Sequence, residues 1–264
     1  MKMLLPILAL LLSAVSALAQ TPGAIVAVGG GGTTEKIVAR TLALAGGREA
    51  AVVVLPQSSE LPDAGDSSVT MWRDAGAKSA RKIDFKDPGA RSALESATLI
   101  WIPGGDQNRF MNAISHTGLD DVIRARNRAG AVVGGTSAGA AVLSALMITG
   151  EADLQSLTAG KTEVTKGLAL FSAGLFDQHF LKRQRSNRLL SAVLDHPQTI
   201  GVGIDEATAV IVRDGQLEVV GRSAVVIFDA RRAAVEAASA GAVVAATGVV
   251  TSVLRDGMTY RLDR

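Results

Sequence analysis

Ser137 is the residue of this chain best placed to do covalent chemistry. It stands in Gly134-Gly135-Thr136-Ser137-Ala138-Gly139-Ala140, where Gly135 and Gly139 give the G-x-S-x-G spacing of a nucleophile elbow. The apolar run 131–133 precedes it and Ala141-Val142-Leu143 follows, so the stretch reads as strand, sharp turn, helix. A serine held at a strained turn needs neighbours without side chains, so that the backbone bends tightly and a substrate carbonyl can approach. The amide N–H of Ala138, opening the next helix, is then placed to stabilise charge on that carbonyl oxygen. A glycine-rich strand–helix turn with an incidental serine fits the same spacing.

A serine nucleophile needs a general base, and the chain holds three histidines, His116, His179 and His196. His116 lies in Ser115-His116-Thr117-Gly118 and His196 in Asp195-His196-Pro197, both turn-like and read as surface positions. His179 differs: Leu175-Phe176-Asp177-Gln178-His179-Phe180 is an apolar stretch broken by three consecutive polar groups, which need partners if buried. A base in turn needs an acceptor to fix its tautomer. Glu206, in Gly203-Ile204-Asp205-Glu206, is the first choice, with Asp205 and Glu151 as rivals; a solvated acidic turn is the bland reading of the same motif.

In Pro103-Gly104-Gly105-Asp106-Gln107, Gly105 offers a second oxyanion N–H and Gln107 an amide to orient substrate, although an ordinary β-turn fits equally. After His179 come Lys182, Arg183, Arg185 and Arg188. Such a run usually makes a solvated helix face, but guanidiniums one turn from the base also suit bidentate capture of a substrate carboxylate.

The elements that must position these groups follow an alternating pattern. Apolar runs at 24–28, 51–55, 99–102 and 131–133 read as strands, separated by helical stretches such as 34–45. That argues for right-handed crossovers and a mainly parallel sheet with helices on both faces, an α/β fold. Three of these strands end in glycines, where ligands bind in such folds. Residues 63–81 read as a loop plus a short helix, and 150–166 as a weakly patterned insertion. Beyond Pro197, short strands at 200–204, 209–213, 217–221 and 224–228 suggest an antiparallel extension or edge of the sheet, finished by 242–253 and 258–262.

At 264 residues the length suits one large domain, with 48% apolar but only 3% aromatic residues, so Ala, Val, Leu and Ile fill the core. The formal charge is +2, without a basic stripe interleaved with aromatics, so nucleic-acid binding has little support. Lys2, an apolar stretch at 4–18 and Ala17-Leu18-Ala19 read as a secretory signal spanning 1–19, shorter than the ~20 residues a membrane span needs. The mature domain is then 20–264, exported to the periplasm or the medium, and not membrane-bound after cleavage. With no cysteine and three scattered histidines there is no metal-ligand spacing, and serine chemistry requires no cofactor.

Taken together, Gly-Gly-Asp-Gln at 104–107, Gly-Thr-Ser-Ala-Gly-Ala at 135–140, Asp-Gln-His-Phe at 177–180 with its trailing arginines, and Gly-Ile-Asp-Glu at 203–206 resemble the cyanophycinase branch of the S51 serine peptidases, relatives of aspartyl dipeptidase (peptidase E). The resemblance implies a flavodoxin-like, class I glutamine-amidotransferase-like fold. It also implies exopeptidase cleavage of cyanophycin, a polyaspartate carrying arginine on each β-carboxyl, to β-Asp-Arg dipeptides. By the same resemblance Ser137 is nucleophile, His179 base and Glu206 orienting acid, while Gln107, Asp177, Gln178, Arg183, Arg185 and Arg188 match pocket positions. Related enzymes have also been read with an acid from the region of Glu151 and Asp153. The order Ser, His, Glu differs from the Ser, Asp/Glu, His order of α/β-hydrolases and disfavours an exported lipase or esterase.

The mechanism expected from this reading has Asp177, with Gln178 or Gln107, holding the substrate guanidinium while Arg183 and Arg188 take carboxylates. Two alternatives accompany it. One is an exported aspartyl or isoaspartyl dipeptidase with Asp-containing dipeptides as substrates. The other is a non-catalytic nucleotide- or solute-binding module whose Gly29-Gly30-Gly31-Gly32 cradles a phosphate. An edge strand within 217–228 would support a homodimer.

Overall fold

The computed structural model describes residues 21–150 and 157–263; the signal-like segment, Glu151 and Asp153 lie outside them. From the N-terminus, β1 (Ile25–Val28) runs through the four glycines into α1 (Glu35–Leu44). There follow β2 (Ala51–Val54), α2 (Asp66–Asp74), β3 (Ser79–Lys82), α3 (Ala90–Ser96), β4 (Leu99–Ile102), α4 (Gln107–Ile114), α5 (Leu119–Arg128) and β5 (Val132–Thr136). Past Ser137 come the four-residue α6 (Ala138–Ala141), a hairpin of β6 (Leu146–Ile148) and β7 (Val164–Lys166), then β8 (Gly174–Gln178) and α7 (Ser186–Asp195). The remainder is strand: β9 (Ile200–Ile204), β10 (Thr208–Arg213), β11 (Gln216–Gly221), β12 (Val225–Asp229), the hairpin β13 (Ala234–Glu236) with β14 (Ala245–Thr247), β15 (Val250–Leu254) and β16 (Thr259–Arg261).

The main sheet has the order β16-β11-β10-β1-β5-β4-β2-β3, parallel from β1 to β3 and antiparallel across β10, β11 and β16. Its parallel strands β1, β2, β4 and β5 are apolar on both sides because both faces are covered. Val26, Val28, Val52 and Val54 point to a layer with Ile37, Val38 and Leu42 of α1 and Trp72 of α2. Ile25, Ala27 and Val53 point the other way, to Leu94, Phe110 and Ile123 of α3, α4 and α5. The period of two along each strand thus divides one core between two helical layers. Thr34 caps α1, its hydroxyl accepting the Ile37 N–H, and Glu35 in the first turn suits the helix dipole.

Three expectations change. The 200–228 strands do not all extend the main sheet: β9 and β12 join β8 and β15 in a second sheet, order β15-β12-β9-β8, with β8 parallel to β9. In β9, Ile200, Val202 and Ile204 face the shared core, while Cβ atoms on Gly201 and Gly203 would strike Leu189 of α7 and the Phe180 ring. The 63–81 stretch holds a helix and also the edge strand β3, where Ala80 alone is buried, so its sequence carried no apolar signal. Finally, β11 lies between β10 and β16, and β12 between β9 and β15, so 217–228 has no free edge and offers no dimer seam.

Candidate active site

Ser137 sits at φ 54°, ψ −116°, a conformation its side chain does not favour. The close approach of β4 explains its flanking glycines. A Cβ on Gly135 would lie 2.7 Å from Ile102 O, and one on Gly139 would press on Ile102 O and sit 2.9 Å from Pro103 O. The Ser137 amide donates to Val28 O at 2.9 Å, so the elbow lies against the end of β1 where the glycine loop begins. The helix beyond it is shorter than expected, one turn only.

The glycine loop also sets the next two residues. The His179 amide donates to Gly29 O at 2.7 Å and the Ala207 amide to Gly30 O at 2.8 Å, while His179 and Ala207 both hold positive φ. The ends of β8 and β9 are thereby tied to the end of β1. Ser137 Oγ lies 2.9 Å from His179 Nε2, and His179 Nδ1 lies 2.7 Å from Glu206 Oε1. The imidazole is almost fully buried and the Glu206 carboxyl partly open to solvent. A carboxylate on Nδ1 fixes the tautomer that leaves Nε2 free to accept the hydroxyl proton.

Asp205, the rival acid, does something else. Its Oδ1 accepts the backbone amides of Leu181 and Lys182 at 3.1 and 3.0 Å, and its Oδ2 accepts Ser223 Oγ–H at 2.7 Å. Burial alone would raise its pKa, but the Ser223 hydroxyl and the amides of Lys182, Glu206 and Leu181 outweigh burial and lower it. It fastens the turn after His179 to the turn that carries Glu206. His116 lies between α4 and α5 and His196 ends α7, and neither bonds to Ser137.

Gly30 and Gly31 leave room for the His179 and Glu206 side chains. A Cβ on Gly31 would lie 2.5 Å from Glu206 Cβ and 2.9 Å from its Cδ, and one on Gly30 would lie 2.2 Å from Cε1 of the imidazole. Sequence reading missed this role and offered a phosphate cradle instead. Of the two glycines after β4, Gly104 is the one beside the nucleophile, its Cβ position 3.4 Å from Ser137 Cβ and 3.9 Å from Oγ. Gly105 (φ 142°) packs on Ser58, whose hydroxyl donates to Gly104 O at 2.8 Å.

The polar residues expected to face substrate are mostly committed to each other. Arg188, 2% exposed, forms a two-point pair with Asp177, its Nε donating to Oδ2 at 2.8 Å and its Nη2 to Oδ1. Arg185 Nη1 donates to Gln178 O at 2.7 Å and to Gln178 Oε1, and lies 3.5 Å from Asp177 Oδ1. Burial, then the charge of Arg188, lowers its pKa to about 10 against the pull of Asp177. Asp177, expected to take a substrate guanidinium, and Arg188, expected to take a substrate carboxylate, satisfy one another here, because a buried charge without a partner is costly. Gln107 Nε2 donates to Ile148 O and Thr149 O at 3.1 and 2.7 Å, anchoring the end of β6. Arg183 is exposed and has no ion pair among the described residues.

Ser137 and His179 line a cavity of about 380 Å³, bounded by the glycine loop, by Ser67, Ser68 and Met71 of α2, and by Trp101. Among the described residues no group of three or more His, Asp or Glu side chains is arranged to hold a metal ion.

The chain matches peptidase family S51 over residues 25–220. It is 37% identical over 204 residues to the cyanophycinase of Geminocystis herdmanii, covering 74% of this chain and 75% of that one. It is 34% identical over 213 residues to the cyanophycinase of Trichormus variabilis, covering 75% and 72%. In structure it resembles a peptidase from an acI-B1 Actinobacterium, with a TM-score of 0.69 at 19% identity, covering 92% of this chain and 98% of that one. A putative peptidase E from Listeria monocytogenes gives 0.58 at 16% identity, covering 76% and 100%. These two share the flavodoxin-like fold seen here. A serine hydroxyl, an imidazole and a carboxylate joined in series at the ends of β5, β8 and β9 are the working parts a serine peptidase needs, and by its sequence the chain belongs to peptidase family S51.

Proposed function

We propose that this protein is a serine exopeptidase that hydrolyses cyanophycin to β-Asp-Arg dipeptides through an acyl-enzyme. The observation that carries the reading is the unbroken series Ser137 Oγ, His179 Nε2, His179 Nδ1, Glu206 Oε1 beside an open cavity. The cyanophycinase relatives supply the substrate class.

Ser137 Oγ attacks the α-peptide carbonyl between two backbone aspartates while its proton passes to His179 Nε2. Glu206 accepts the Nδ1–H throughout and steadies the imidazolium. The N–H of Ala138, with that of Gly105, holds the oxyanion, each such donor contributing on the order of 10²–10³ in rate. Collapse of the tetrahedral species expels the amine, which takes its proton from His179. Water then attacks the acyl-Ser137 ester by the same relay and regenerates the serine. Exposed Arg183 is the guanidinium of the basic run left free to meet a carboxylate of the substrate.

Turnover of insoluble polymer compared with that of β-linked and α-linked Asp dipeptides tests the substrate assignment. Faster release from the polymer supports it; hydrolysis of the dipeptides alone defeats it. Residues 1–19 act in this reading as an export signal and 20–264 as a single peptidase domain. N-terminal sequencing of protein recovered outside the cytoplasm should begin at Gln20, and an intact Met1 there would refute the signal.

A further inference from the structure

We propose that the cavity beside the start of α1 is a second polymer subsite, holding one zwitterionic β-Asp-Arg repeat of the chain being cleaved between Glu35 and Arg222. The inference rests on the polymer reading above and concerns a repeat that does not flank the scissile bond.

This cavity, about 610 Å³, is larger than the one at Ser137 and is formed by the loop and helix start from Gly31 to Lys36 together with Ala207, Gly221 and Arg222. The two cavities share Gly31, Gly32 and Thr33 as lining. Gly31 and Gly32 are exposed, and a Cβ on Gly32 would meet nothing within 4 Å, so Thr33 is the one residue of the shared lining that carries a side chain. A chain lying at Ser137 therefore has an open course over the glycine loop into the second cavity.

Two of its charges are without an ion pair among the described residues. Lys36 is paired with Asp256, but Glu35 and Arg222 are exposed, have no ion pair among the described residues, and do not pair with each other. A free carboxylate and a free guanidinium lining one cavity match a ligand that carries both signs on one short unit. Each repeat of the polymer carries a guanidinium for Glu35 and an arginyl α-carboxylate for Arg222. A polyphosphate would find only one of the two useful, and a neutral polymer neither.

The test compares wild type, Glu35→Gln, Arg222→Gln and the double variant on soluble cyanophycin and on (β-Asp-Arg)₂, which has a single scissile bond. The polymer-to-short-substrate ratio of kcat/KM should fall roughly threefold for each single change and about tenfold for the double, as expected for exposed charge pairs. The wild-type ratio should also drop with added salt, and the double variant should lose that dependence. In a Ser137→Ala background, co-sedimentation with insoluble polymer should weaken when both charges are removed, reading binding apart from turnover. An unchanged ratio and unchanged co-sedimentation in the double variant overturn the subsite while leaving the peptidase reading intact. Failure of wild type to release any dipeptide overturns the polymer reading itself.

Discussion

Gly30 and the imidazole of His179 occupy space that a single methyl group would contest: a Cβ on Gly30 would lie 2.9 Å from Nδ1 and closer still to Cε1 and Nε2. The glycine also holds φ 94°, a value L side chains rarely adopt. The loop is thus both the support for the His179 and Ala207 backbones and the surface on which the imidazole rests.

Gly30→Ala should consequently displace the imidazole from Ser137 Oγ. The expected result is a loss of at least 10²-fold in kcat, the scale of losing general-base assistance, with the protein still folded by circular dichroism. Wild-type kcat in a folded Gly30→Ala protein would show that the base does not depend on this contact.

The Asp177–Arg188 pair predicts a stability effect where a substrate-binding pair would predict a KM effect. Asp177→Ala leaves Arg188 and Arg185 buried without their carboxylate, and breaking such a pair by removing one partner costs about 3–5 kcal/mol. Denaturant melts should show that loss. If Asp177→Ala keeps wild-type stability and instead raises KM, the pair is a substrate contact.

Asp205 and Glu206, adjacent in sequence, should separate cleanly by their phenotypes. Because the fold lowers the Asp205 pKa, its charge contributes stability above the ordinary carboxylate range, and that contribution is lost as pH falls through the lowered value. Stability should therefore decline as pH falls below the ordinary carboxylate range, and Asp205→Asn should be less stable at neutrality with a flatter acid limb. Glu206→Gln removes the carboxylate that fixes the Nδ1–H tautomer and should lower kcat by up to about 10⁴-fold with little change in melting. The reverse pattern would make Asp205 the orienting acid.

Ser137, His179 and Glu206 were legible because each stands just past an apolar run, and the glycines at 135 and 139 marked the turn. The alternation of strands and helices likewise exposed the parallel half of the sheet. What stayed hidden depended on long-range packing. Nothing local to Arg185 and Arg188 says that their heads turn inward to β8; a basic run leading into α7 looks the same whether it meets Asp177, solvent or substrate. The four glycines invited a phosphate because the side chains that fill the space beside Gly30 and Gly31 come from about 150 and 175 positions away. The polar edge strand β3 gave no apolar signal, and the division of the later strands between two sheets follows from which neighbours pair, a property no single strand encodes.

The central claim is that Ser137 cleaves an Asp/Arg polymer. Purified wild type and Ser137→Ala, each incubated with cyanophycin and followed by mass analysis of the soluble products, test it most directly. The account predicts β-Asp-Arg from wild type and at least about a 10³-fold slower release from the variant. Dipeptide released by Ser137→Ala at the wild-type rate, or none from either protein, would contradict it.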